Sequence, residues 1–138
     1  MGRIAPNYYV QDGVIPRSKL PEVLRRIRQL EIESGLTIGN VFHAGDGNLH
    51  PCILFDERVP GELEKVLEAG GRILEYCIDA GGALSGEHGI GTEKQAYMPL
   101  VFNEHDMRSM SRLPSAFGVT NGAFNPDKMF PLKIANNT

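Results

Sequence analysis

The chain has 138 residues, 41% of them hydrophobic and 22% charged, which suffices for one apolar core and is too little for two domains of ordinary size. Its 14 basic and 17 acidic residues leave a formal charge of −3 with no basic run, so composition gives no reason to expect a nucleic-acid partner. Cys52 and Cys77 are too few for a disulfide framework and read as reduced core residues of a cytosolic protein, while neither a leader sequence nor an apolar run of about 18 residues supports secretion or membrane spanning.

In chain order, Asn7-Tyr-Tyr-Val-Gln-Asp12 has aromatic and β-branched strand character, and a second extended piece follows at Val14-Ile15. A helix is expected next, with Ser18 as its cap, Pro21 in its first turn, and Leu20, Val23, Leu24, Ile27 and Leu30 on one face up to Gly35. Thr37 to Ala44 and Leu49 to Phe55 form a hairpin about Asp46-Gly47, and Pro51 makes the second strand an edge or an irregular start. After Pro60 a second amphipathic helix carries Leu63, Val66, Leu67, Ile73, Leu74, Cys77 and Ile78 to Gly81-Gly82, with Gly70-Gly71 marking close packing on the sheet. Ala83-Leu84 is a short strand, Thr92 to Gln95 has the capping-box form, and Asn103 to Asp106 caps another helix that Pro114 limits. The order β-α-β-β-α-β followed by helices predicts an α+β fold. It is the split β-α-β, ferredoxin-like arrangement, an antiparallel sheet with two helices on one face.

The most informative stretch is Val41-Phe-His-Ala-Gly-Asp-Gly-Asn-Leu-His-Pro51. A two-residue turn at Asp46-Gly47 pairs 45 with 48, 44 with 49, and 43 with 50. His43 and His50 then stand side by side, their Cβ atoms roughly 4.5 to 5.5 Å apart, a separation from which two imidazoles can converge on one cation. Two histidines on one sheet face are also what a merely polar surface looks like. A third ligand is available in Ser85-Gly-Glu-His-Gly-Ile-Gly91, where the glycines imply positive φ or a close approach, or else a plain loop before a helix. Glu87 is the candidate third ligand and His88 the candidate base. In the tail, Asn125-Pro-Asp-Lys128 has the composition of a surface turn.

Together, residues 43–51, 85–91 and 125–128, with the Tyr-Tyr-x-x-Asp-Gly-x-Ile-Pro-Arg run at 8–17, resemble the C-terminal domain of the FAD-linked 2-hydroxyacid oxidases. These are glycolate oxidase-like flavoproteins with D-lactate and D-2-hydroxyglutarate dehydrogenases among them. The resemblance implies that His43, His50 and Glu87 bind a divalent metal and that His88 is the active-site base. Zinc is the first choice of metal, with manganese or iron as alternatives, because mixed N/O ligation discriminates poorly among them. It further implies that Asn125 and Lys128 contact FAD and that the substrate is a small 2-hydroxy acid. Arg17 is a candidate to assist that anionic substrate, against the plainer reading of a surface arginine beside a helix start. The tail departs from the family pattern at Phe117 to Gly122.

Such relatives carry an FAD-binding domain that no segment here resembles, so the sequence reads as a fragment, 1–138, inactive by itself. Implied partners are that FAD-binding domain and, in a glycolate oxidase-type complex, flavoprotein-like and iron–sulfur subunits, cytoplasmic or peripheral to the inner face of a membrane. Two other classes compete. A non-catalytic ferredoxin-like scaffold or assembly module has no reason to retain an open metal site. A small metallohydrolase would use the same four residues on metal-bound water.

Overall fold

A computed structural model describes residues 2–119 and 124–131. The chain divides into two compact units, residues 1–87 and 88–138, and every residue of the main apolar cluster lies in the first.

The first unit holds β1 (Asn7–Val10), β2 (Gly13–Val14), α1 (Leu20–Ser34), β3 (Thr37–His43), β4 (Asn48–Phe55) and α2 (Glu62–Asp79). β4 is the centre of an antiparallel sheet: it pairs with β3 along one side and with both β1 and β2 along the other. The fourth strand expected at Ala83-Leu84 is reduced to a single bridge, in which the N–H of Val14 donates to the carbonyl of Ala83 at 3.3 Å and that of Ala83 to Val14 at 2.9 Å. The order Ala83, β1/β2, β4, β3 is that of the split β-α-β arrangement, and the fold is α+β as the element order implied.

The two helices bury one face of this sheet. Val23, Ile27 and Leu30 of α1 and Val66, Ala69, Ile73 and Cys77 of α2 pack on Ile38, Leu49, Ile53 and Phe55. Each fully buried Ile or Leu contributes roughly 1.5 to 3 kcal/mol, so this layer is the main source of stability in the unit. Gly70 shows why α2 has glycine in its middle. A Cβ there would stand 2.7 Å from the ring of Tyr9 and 2.9 Å from the amide of Gln11, so the helix backbone rests on the side chains of β1 and its extension.

Two local expectations are corrected. Ser18 does not cap α1: residues 17–19 form one 3-10 turn, the N–H of Lys19 donating to Pro16, and the helix proper begins at Leu20 with Pro21 in its first turn. Pro51 lies within the central strand, opposite Asn40, and not at an edge. Its carbonyl accepts the N–H of Gln11 at 3.0 Å. In a strand the nitrogen of a residue faces the same side as its carbonyl, so the missing N–H points into the interruption between β1 and β2, where little pairing is lost.

The second unit contains a 3-10 segment (Gln95–Leu100), α3 (Glu104–Ser111) and α4 (Leu113–Ala116), with Met98 and Met107 buried. Thr92 to Gln95 does not open an α-helix by a capping box. The Gln95 side chain donates instead to the carbonyl of Asp127 at 2.6 Å, and Pro99 lies within the 3-10 segment. Asn103 caps α3 as expected: its Oδ1 accepts the N–H groups of His105 and Asp106, and Asp106 accepts the N–H of Asn103. Of the tail departure at 117–122, residues 120–122 lie outside the described residues. Among the described residues no helix is long and apolar enough to cross a membrane.

Candidate metal centre

Side chains alternate along β4, so Leu49, Ile53 and Phe55 face the helices while Asn48, His50, Cys52 and Leu54 face the other way. The same alternation places His43 of β3 on that second face, because it stands opposite Asn48. The register differs from the expected one by two residues. β3 stops at His43 and β4 starts at Asn48, so four residues, 44–47, make the connection and His50 faces Val41. The carbonyl of His43 accepts the N–H groups of both Asp46 and Gly47 at 3.0 Å, and the carbonyl of Gly47 accepts the N–H of Ile15 at 3.0 Å. That last bond draws the loop toward the segment after β2, which overrides the local preference of Asp-Gly for a two-residue turn. A shift of two preserves which face each residue occupies, so the histidines remain together as diagonal neighbours. Their ring centroids are 5.4 Å apart and nearly perpendicular.

Glu87 completes the group. Its Oε1 lies 3.1 Å from Nε2 of His50, and one ligand atom from each of His43, His50 and Glu87 falls within 4.8 Å of the others. Ligands of a tetrahedral zinc ion stand about 3.4 Å apart, so small side-chain rotations suffice to close the set. The donor chemistry fits a divalent cation: two imidazoles and one carboxylate, with positions left for substrate or water. Polar surroundings fit it as well. Asn48 is buried with its Oδ1 accepting no hydrogen bond among the described residues. Gly86 packs so closely on it that an added Cβ would stand 2.6 Å from that oxygen. The close approach expected of the glycine-rich segment therefore occurs at Gly86.

Sequence reasoning missed Asn48 and Asp12 as residues of this site. Asp12 is fully buried and accepts hydrogen bonds from the Ser85–Glu87 segment. A buried carboxylate is a signal of importance, but its burial depends on chain far away in sequence.

The other expected residues are placed as follows. Arg17 is exposed in the first unit, in the 3-10 turn, with its backbone nitrogen against the hairpin loop at Gly47. His88 directly follows Glu87 in the chain, opens the second unit and is exposed. Asn125 and Lys128 belong to the second unit. There the N–H of Lys128 donates to the carbonyl of Asn125 at 3.3 Å, and Asn125 and Asp127 take φ of +45° and +58°, a conformation Asn and Asp adopt more readily than most residues.

Cys52 stands two residues from His50 on the same face, and its Sγ donates to the carbonyl of His50 at 3.4 Å. Burial pushes its thiol up from the ordinary cysteine value, which keeps it protonated and a poor competitor for the cation. Cys77 is fully buried, its Sγ packed against Gly13 of β2. Both thiols are therefore expected to be silent toward a reagent such as dithionitrobenzoate in the folded chain and to react in denaturant. Prompt reaction of either under native conditions would contradict this packing.

Comparison with known proteins bears on the whole chain. Residues 1–129 match a family described as FAD linked oxidases, C-terminal domain. The chain is 49% identical over 131 residues to glycolate oxidase subunit GlcD of Escherichia coli, covering 95% of this chain and 26% of that protein. It is 35% identical over 130 residues to the subunit of the same name from Bacillus subtilis, covering 94% and 27% respectively. To the mitochondrial D-lactate dehydrogenase [cytochrome] of Kluyveromyces lactis it is 32% identical over 126 residues, covering 91% and 21%. The chain thus spans about a quarter of the length of the curated relatives it matches.

Proposed function

The chain belongs to the family of FAD-linked oxidase C-terminal domains, and from that premise we propose that it is the substrate- and metal-binding portion of an FAD-dependent 2-hydroxyacid dehydrogenase of glycolate oxidase type. The observation that carries this reading is the convergence of His43, His50 and Glu87 within 4.8 Å. In the proposed reaction a 2-hydroxy acid becomes a 2-oxo acid, losing a hydride from C2 and a proton from the 2-hydroxyl. Bound FAD would supply the hydride acceptor and a divalent cation, zinc before manganese or iron, the Lewis acidity that lowers the hydroxyl pKa.

The chain's own residues have these parts. His43, His50 and Glu87 would hold the cation and so orient the substrate's hydroxyl and carboxylate. His88 would accept the hydroxyl proton, a task suited to imidazole. Arg17 would assist the anionic substrate, and Asn125 and Lys128 would contact the flavin. The proposed working context is an FAD-binding domain with flavoprotein-like and iron–sulfur partner subunits, cytoplasmic or peripheral to the inner face of a membrane; what supports it is that the relatives are named as subunits of a glycolate oxidase.

Calorimetric titration of the chelator-treated chain with Zn(II) and with Mn(II) tests the metal reading. About one equivalent is expected to bind. No binding of either ion would overturn it and favour a scaffold without an open site.

A further inference from the structure

Asp12 occupies the interruption between β1 and β2 and is 0% exposed. A buried carboxylate is costly unless donors surround it. Three consecutive residues supply them. Ser85 donates its hydroxyl to Oδ2 at 2.6 Å, the N–H of Gly86 reaches Oδ1 at 3.1 Å and Oδ2 at 3.0 Å, and the N–H of Glu87 reaches both oxygens at 3.2 Å. Asp12 is itself tied to the strand that carries His50. Its neighbour Gln11 donates to Pro51, and its other neighbour Gly13 pairs with Leu49, so the two flanks of His50 are the two anchors of Asp12.

We propose that Asp12 is a positioning residue of the cation site: its carboxylate holds the backbone of Ser85–Glu87 against β4, so that the Glu87 side chain meets His50. The inference rests on the metal reading above and adds to it the device that brings the third ligand to the other two. The Glu87 side chain is 53% exposed and meets His50 at 3.1 Å. Its backbone is fixed by charge-assisted hydrogen bonds to Asp12, which are roughly twice as strong as neutral ones. Gly86 belongs to the same device, because any side chain there would collide with Asn48 and lift the segment off the sheet.

Asp12→Asn tests this with little change of volume. An asparagine keeps one acceptor for the two N–H groups and can turn its amide toward the Ser85 oxygen, but the charge is gone. Zn(II) and Mn(II) are expected to bind the variant about tenfold more weakly than the wild-type chain, the size of effect seen when an outer-shell partner of a metal ligand is lost. Amide hydrogen exchange at Gly86 and Glu87 is expected to speed up in the variant, with or without metal. A purely structural role predicts a lower melting temperature of the metal-free variant with unchanged affinity at temperatures where it is folded, and that result overturns the proposal. If Asp12→Asn does not fold, Ser85→Ala decides: it removes one donor and is expected to weaken binding about threefold, the effect of one modest hydrogen bond, whereas unchanged affinity overturns the proposal. Binding by the wild type with unchanged affinity in the variants sinks the positioning role alone. Absence of binding in the wild type sinks the metal reading, and slow exchange at Gly86 and Glu87 that is insensitive to Asp12→Asn then sinks the cradle as well.

Discussion

His50→Ala is expected to weaken divalent-cation binding by on the order of a hundredfold or more, since even the loss of an outer-shell partner costs ten- to a hundredfold and this change removes a ligand outright. Of the three ligands His50 is the best placed to dominate. It is buried, sits on the central strand with partners on both sides, and already touches Glu87 at 3.1 Å. His43, exposed at the end of an outer strand, gives up more entropy on ligation, so His43→Ala is expected to cost less. Competition against a chromophoric chelator measures both. Equal affinities of wild type and His50→Ala would place any bound metal elsewhere.

Gly47→Ala is expected to destabilise the chain by about 2 to 4 kcal/mol, and Gly45→Ala, two residues away in the same loop, by less than about 0.5 kcal/mol. Gly47 has φ of +74°, and a Cβ there would stand 2.1 Å from the carbonyl oxygen of Ile15, so the alanine meets both a strained backbone and a collision with main chain. Relief requires giving up the bond from Ile15 to Gly47. At Gly45 the φ is not positive and nothing lies within 4 Å of an added Cβ. Urea denaturation of both variants checks the contrast, and similar midpoints for the two would show that the loop is not held against Ile15.

That pair of glycines illustrates what could be read from sequence. The Asp-Gly dipeptide marked a turn correctly, yet its local preference predicted a two-residue connection, because the bond between Gly47 and Ile15 joins distant positions that no local pattern contains. The helical stripes of α1 and α2 were readable because burial on one face imposes a period that any window reveals. So were the three converging residues: parity along a strand survives an error of two in register, and the family motifs point to the same positions. Pro51 and the Thr92 box misled for the opposite reason, each a local signal outvoted by a contact elsewhere: the gap beside Gln11 and the carbonyl of Asp127. Ser18 lost to its immediate neighbours, which close a 3-10 turn on Pro16 ahead of the helix. Asp12 was unreadable as part of the site because its donors come from the far end of the unit.

The reduction of the fourth strand to one bridge at Ala83 has a kinetic consequence. The β3–β4 hairpin joins its strands across four residues, so the two histidines meet through a short loop, and hairpins form in microseconds. Joining Ala83 to Val14 closes a far longer loop, so it is entropically the later event, and the bonds of Ser85–Glu87 to Asp12 come on top of the two at the bridge. The third ligand is therefore expected to join the two histidines after the hairpin has formed, and a charge buried within the sheet is what then keeps it there.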